Sequence, residues 1–237
     1  MPYIPAGRRR GVSIVAALTA GLLVIAQPAI AKAPPKPPPS HSSNSSSGDM
    51  SSAIQSYLDS TNIDSSSCAD PQLSQPFADG WSDSAYYALA PGQDDSSFTG
   101  NHWFLWNGAN ITSTTLLNGN PGSVLDLPGG SLAVSPPMCL AYNYPTARMM
   151  VRNMAGNSGV STYVVYFQGS SYQVKDGGNA NGNGSGSGKA WGLSGQISLQ
   201  PSSDPGWQLA RFVLYNPGGA SSDAQIYNFY VDPYAKR

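Results

Sequence analysis

QLARFVLY, residues 208–215, is the stretch that decides the fold. Successive side chains of a strand point to opposite faces, so Phe212 and Leu214 share one side while Arg211, Val213 and Tyr215 share the other. Working outward, short apolar or alternating segments recur at 86–89, 102–106, 124–127, 148–153, 162–167, 191–199 and 225–231. Turn signals separate them: Pro91-Gly92, Asn118-Gly119, Pro128-Gly129-Gly130, Gly156-Asn157 and Pro217-Gly218-Gly219. No helix longer than two turns is evident after Cys68. The pattern predicts an all-β domain, an antiparallel β-sandwich or jelly roll, over 68–237.

Toward the N-terminus the composition changes twice. Residues 1–31 carry Arg8, Arg9 and Arg10, an apolar run from Val12 to Ile25, and then Ala29-Ile30-Ala31, the order of a cleavable signal peptide. The paired arginines match a twin-arginine export signal weakly, and an uncleaved anchor is the rival reading of the apolar run. Residues 32–50 are Pro-rich and then Ser-rich, with nothing to anchor a core, and read as a disordered linker. Residues 51–67 read as a short linking segment, with Ile54, Tyr57 and Leu58 at helical spacing. The expected location is secreted, extracellular or at the cell envelope, with no membrane contact after signal cleavage.

The sequence of 237 residues has no Glu, and only 11% of its residues are charged. Loss of residues 1–31 removes three arginines and no acid, so the mature chain is acidic and not built to bind nucleic acid. Cys68 and Cys139 both fall in the exported part, where an oxidising compartment favours their pairing. That bridge would close a loop of about 70 residues, for which chain entropy gives roughly 4 kcal/mol.

Chemistry-bearing residues are scarce. His41 lies in the linker and His102 is alone in the domain, in what reads as a strand; no G-x-S-x-G elbow exists. Asp79 with Asp83, or Asp94 with Asp95, are the carboxylate pairs a glycosidase would need, but all four sit in turn-like sequence, where Asp caps backbone amides. No zinc or calcium motif is present, and no metal or cofactor is expected. The tract 176–188 reads as a long hairpin connection, and the sequons at Asn44, Asn110 and Asn183 are what a chain rich in Asn and Ser carries by chance.

Three of the seven basic residues after Cys68 are arginines inside strands. In RMMVR, 148–152, Met149 and Val151 oppose Arg148 and Arg152; Tyr163, Val165 and Phe167 oppose Thr162, Val164 and Tyr166; Tyr227, Phe229 and Val231 oppose Ile226, Asn228 and Tyr230. If these strands share one sheet with their apolar sets inward, Arg148, Arg152, Tyr166, Arg211, Tyr215, Asn228 and Tyr230 line its outer face. Aromatic faces suit sugar C–H surfaces and planar polar groups suit hydroxyls and carboxylates. The expectation is a non-catalytic module binding a glycan or cell-wall polymer. The alternative is a structural or protein-interaction domain at the envelope. A small carbohydrate-active enzyme, such as a lyase, would need Asp, Tyr or Arg gathered in a cleft near His102.

Residues 91–111, PGQDDSSFTGNHWFLWNGANI, and 207–233, WQLARFVLYNPGGASSDAQIYNFYVDP, resemble the first and last strands of galactose-binding-like jelly rolls, a fold that includes many carbohydrate-binding modules. CADPQLSQPF, SPPMCLAYNYPTARMMVRN and IYNFYVDP resemble a set of exported proteins from high-GC Gram-positive bacteria. The second resemblance implies no activity; it supports the cysteine pairing and the fold.

Overall fold

The computed structural model describes residues 47–59, 65–95, 97–156, 159–168, 171–181, 190–203 and 206–233. The signal peptide, most of the linker, His41, the sequons at Asn44 and Asn183, and 182–188 of the glycine-rich tract lie outside them. A helix, α1 (Ser47–Asp59), precedes the strands. These are β1 (Leu73–Ser74), β2 (Tyr87–Leu89), β3 (Phe104–Trp106), β4 (Asn110–Thr115), β5 (Pro121–Pro128), β6 (Leu132–Val134) and β7 (Met138–Leu140). There follow β8 (Thr146–Ala155), β9 (Val160–Gln168), β10 (Ser171–Ala180), β11 (Gly192–Leu193), β12 (Ile197–Ser198), β13 (Gln208–Tyr215) and β14 (Asp223–Asp232).

Two antiparallel sheets form a sandwich. In the first, β14 is central: β8 runs along one side, with β11 and β12 on its far edge, while β5 and then β4 pair with one half of β14's other side and β2 and then β1 with the remainder. In the second, β13 is central, flanked by β9 and β10 on one side and by β6, β3 and β7 on the other. Phe212 of β13 and Phe229 of β14 meet edge to face across the sandwich, ring centroids 4.7 Å apart. Met149, Val151, Val164, Leu214 and Ile226 fill the same layer. Each such side chain contributes about 1.5–3 kcal/mol by leaving water.

Cys68 and Cys139 are bonded, Cα atoms 5.7 Å apart across a sequence separation of 71. Two of the glycine turns meet: Gly129 donates its amide to Ser222 O at 2.8 Å, and a methyl group at Gly129 would lie 1.9 Å from Gly219 O. Only glycine fits there.

Several expectations need correction. The strands carrying the seven proposed site residues do not share a sheet: β8 and β14 belong to the first, β9 and β13 to the second. On β9 the phase is inverted, so Val164 and Tyr166 join the core between the sheets, and Tyr163, Val165 and Phe167 face outward. Both faces of β9 are apolar, and alternation cannot choose between them. On β14 a bulge intervenes. Tyr227 pairs with Met150 and Tyr230 with Arg148, leaving Asn228 and Phe229 opposite Met149 alone. Asn228 takes φ 50°, a left-handed conformation Asn tolerates. The Gln93 side chain satisfies the displaced backbone, accepting from Phe229 N at 3.0 Å and donating to Phe229 O at 3.2 Å. Ile226 therefore faces the core and Tyr227 the outside, opposite to simple alternation.

Residues 191–199 form two short strands rather than one, and Asp176 to Ala180 belong to β10 rather than to a hairpin connection. His102 sits in a turn at φ 63°, not in a strand. Ile54, Tyr57 and Leu58 of α1 pack on the outer face of the second sheet.

Candidate functional site

On the outer face of the first sheet an open groove of about 460 Å³ is lined by Trp81, Asp83, Ser84, Arg148 and Gln196. Three pieces of chain build it. The turn before β2 supplies Trp81 to Ala85, β8 supplies Arg148, and the link between β11 and β12 supplies Gln196. Asp83 organises the turn: Ala85 N donates to its Oδ1 at 3.1 Å and the Tyr87 hydroxyl to its Oδ2 at 2.7 Å. Arg148 Nη1 stands 3.5 Å from the same Oδ2, and Arg148 Nε has no hydrogen-bond partner among the described residues. Trp81 and Arg148 are half-buried; Ser84 and Gln196 are exposed.

The floor is rigid. Phe77, Tyr87 and Tyr230 pack edge to face with centroids 5.1, 5.6 and 6.4 Å apart. Burial, and then Asp95, push the Tyr230 phenol up to about 12. Burial, and then its bond to Asp83, push the Tyr87 phenol up as well. A phenol held neutral in this way donates to Asp83 and is a poor general base.

Arg148 is thus the one proposed residue that lines the groove; Tyr230 is its cross-strand neighbour on β14 and packs beneath the turn. Arg152 lies four positions along β8 on the same face, where it is engaged. Its Nε and Nη2 donate to Gln225 Oε1 at 2.9 and 2.6 Å, Nη2 donates to Thr114 Oγ1 at 2.6 Å, and its Cζ is 4.3 Å from the Trp191 ring centre. It ends a cross-strand row, Asn110–Asp126–Gln225–Arg152, whose side chains are hydrogen-bonded in sequence. β4 and β8 are three inter-strand steps apart, about 14 Å on a flat sheet, so the Arg152–Thr114 contact requires the sheet to curl toward this face. Burial lowers the Arg152 pKa.

The other proposed residues are elsewhere. Asn228 sits half-buried in the bulge. Tyr166 is in the core, donating to Leu199 O at 2.8 Å. Arg211 and Tyr215 are on the outer face of the second sheet, beside α1. His102 is also on that side of the molecule, its carbonyl accepting from the Tyr57 hydroxyl, so the Asp83–Tyr87–Arg148 cluster gathers without a histidine.

Strand alternation could not find Trp81, Asp83 or Gln196, because none is in a strand. The available signal was Trp81 standing among turn residues in DGWSDS, 79–84.

No protein-family model matches the sequence, and no curated protein matches it. Solved structures similar to part of the chain include the family 22 xylan-binding domain from Paenibacillus barcinonensis, 14% identical over 55% of this chain and 84% of that one, TM-score 0.34. A C-terminal family 6 carbohydrate-binding module of a laminarinase from Zobellia galactanivorans is 13% identical over 55% of this chain and 98% of its own, TM-score 0.32. An arabinose-bound α-L-arabinofuranosidase is 13% identical over 68% of this chain but only 28% of its own, TM-score 0.37. Overlap this loose assigns neither ligand nor activity.

Proposed function

We propose that this protein is an exported, non-catalytic module that binds a glycan in the groove beside β8. The observation that carries the reading is Arg148: a half-buried guanidinium lining an open groove of about 460 Å³ next to a half-buried Trp81, held by one 3.5 Å ion pair to Asp83. A sugar ring stacked on Trp81 would bring its hydroxyls to Arg148, Asp83 and Gln196, which together supply both donors and acceptors. Export rests on the N-terminal sequence: a signal peptide removed after Ala31, then a Pro/Ser-rich stalk setting the domain off a surface.

The test is a glycan array supplemented with purified cell-wall polymers, probed with the mature chain and with its Trp81→Ala and Arg148→Ala variants. The expected result is a saturable hit that either variant weakens at least about tenfold, the loss of one charge-assisted hydrogen bond or one stacking face. Absence of any hit from folded protein would favour the envelope protein-interaction reading instead. Equal binding by both variants would remove this groove.

A further inference from the structure

The outer face of the second sheet is covered, and its cover is thin. Phe104, Trp106, Tyr163, Phe167, Tyr172 and Tyr215 make it markedly aromatic, and α1 lays Ile54, Tyr57 and Leu58 on it. In the middle stands Arg211, with no exposed surface. Its Nη1 donates to Ser135 O at 2.9 Å and the Tyr57 hydroxyl interacts with the guanidinium, whereas Nε and Nη2 make no fully formed hydrogen bond with the described residues. No carboxylate among those residues forms an ion pair with it. The charge is relieved by Tyr57, whose ring centre is 4.7 Å from Cζ, and more distantly by Phe167 at 5.6 Å.

A buried guanidinium without an acid is expensive to keep. Nε and Nη2 form the side-on edge of the guanidinium, the pair of donors that grips a carboxylate bidentately. The Tyr57 ring lies against the guanidinium, stacks on Phe104 at 5.1 Å and 23°, and sends its hydroxyl to His102 O. A six-membered ring on an aromatic platform, with a hydroxyl to a carbonyl and a cation at its side, is how a sugar ring would sit. We infer that α1 is a displaceable cover over a second binding site, and that Tyr57 holds the place of a uronic-acid sugar whose carboxylate pairs with Arg211. This site is independent of the groove on the first sheet.

The hold of α1 is of the size a ligand can overcome. A helix of 13 residues is marginal by itself, so its order rests on tertiary contacts that include the three apolar side chains, the Tyr57–Arg211 contact, the Tyr57–His102 bond, and a 2.6 Å bond from the Tyr172 hydroxyl to Asp59 Oδ1. The disulfide at Cys68 keeps the displaced segment attached.

The experiment compares the full mature chain with its Leu58→Asp variant, which unseats α1, using galacturonic-acid oligosaccharides as probe and neutral xylo-oligosaccharides as control. If the cover competes with ligand, the variant binds the acidic probe about tenfold or more tightly than wild type, because apparent affinity scales with the open fraction. Adding Arg211→Lys to that background, which keeps the charge and loses the fork, abolishes the gain, and adding Trp81→Ala does not. No gain in folded Leu58→Asp overturns the inference; so does a gain that survives Arg211→Lys, that Trp81→Ala removes, or that the neutral probe shares. Should Leu58→Asp fail to fold, hydrogen exchange of wild-type α1 decides. Amides of residues 54–59 exchange faster at millimolar acidic oligosaccharide if the cover lifts, and unchanged exchange overturns it.

Discussion

Arg148 and Arg211 occupy similar places in the sequence pattern, each an arginine in an alternating strand with apolar neighbours turned to the core, yet the structure treats them oppositely. Arg148 lies in an open groove, 3.5 Å from a carboxylate. Arg211 has no solvent exposure, no ion pair with any acid among the described residues, and a helix over it. The strand decides which face a side chain takes; what lies over that face is decided by chain far away, residues 81–85 in one case and 54–58 in the other. The first arginine is kept available and the second is kept out of water.

The comparison is broken most severely through the disulfide, which ties the segment following α1 to β7 of the second sheet. Replacing Cys68 and Cys139 together by Ala should lower unfolding stability by roughly 4 kcal/mol, read from urea melts, while leaving the groove of the first sheet assembled in whatever protein remains folded. Next comes the direct contrast of the two cations. Arg211→Ala, which empties space under α1, is expected to cost about 3 kcal/mol, against less than about 1 kcal/mol for Arg148→Ala. Equal losses in denaturant titrations would mean that the two environments do not differ as described. Arg211→Met sharpens the point: filling the same volume without the charge should leave stability within about 1 kcal/mol of wild type or raise it.

The smallest effect concerns Asp223, on the outer face of the first sheet near Asp126. Burial, and then the Asp126 charge, push its carboxyl up, and its Oδ1 has no hydrogen-bond partner among the described residues. A carboxyl whose folded pKa exceeds the unfolded value near 3.9 favours folding while protonated. Its contribution is complete below that value and is lost as pH rises through the raised folded pKa. Asp223→Asn should therefore raise the Tm at pH 7 by on the order of 1 °C and flatten the acid limb of the stability profile. A lower Tm at pH 7 would contradict the sign.

What could be read in the sequence follows the contrast between the two sides of each strand. β13 was legible because Phe212 and Leu214 alternate with Arg211; β9 was not, because Tyr163, Val165 and Phe167 are as apolar as the Val164 and Tyr166 they oppose. β4, NITSTT, has Ile111 as its one apolar residue and was missed as a strand; what holds it in the sheet is its pairing with β5. The bulge on β14 depends on Gln93, more than a hundred residues earlier, and no local pattern could announce it. For the candidate site, Arg148 was readable as an outward cation, but Trp81, Asp83 and Gln196 reach it only through tertiary folding.

β14 lies between β8 on one side and both β5 and β2 on the other, although it is the last strand in sequence order. While the chain is being synthesised, the halves of the first sheet have nothing to join them until residues 223–232 appear. The first sheet therefore closes only once that last strand is in place, which makes its assembly dependent on pairings between residues far apart in the sequence.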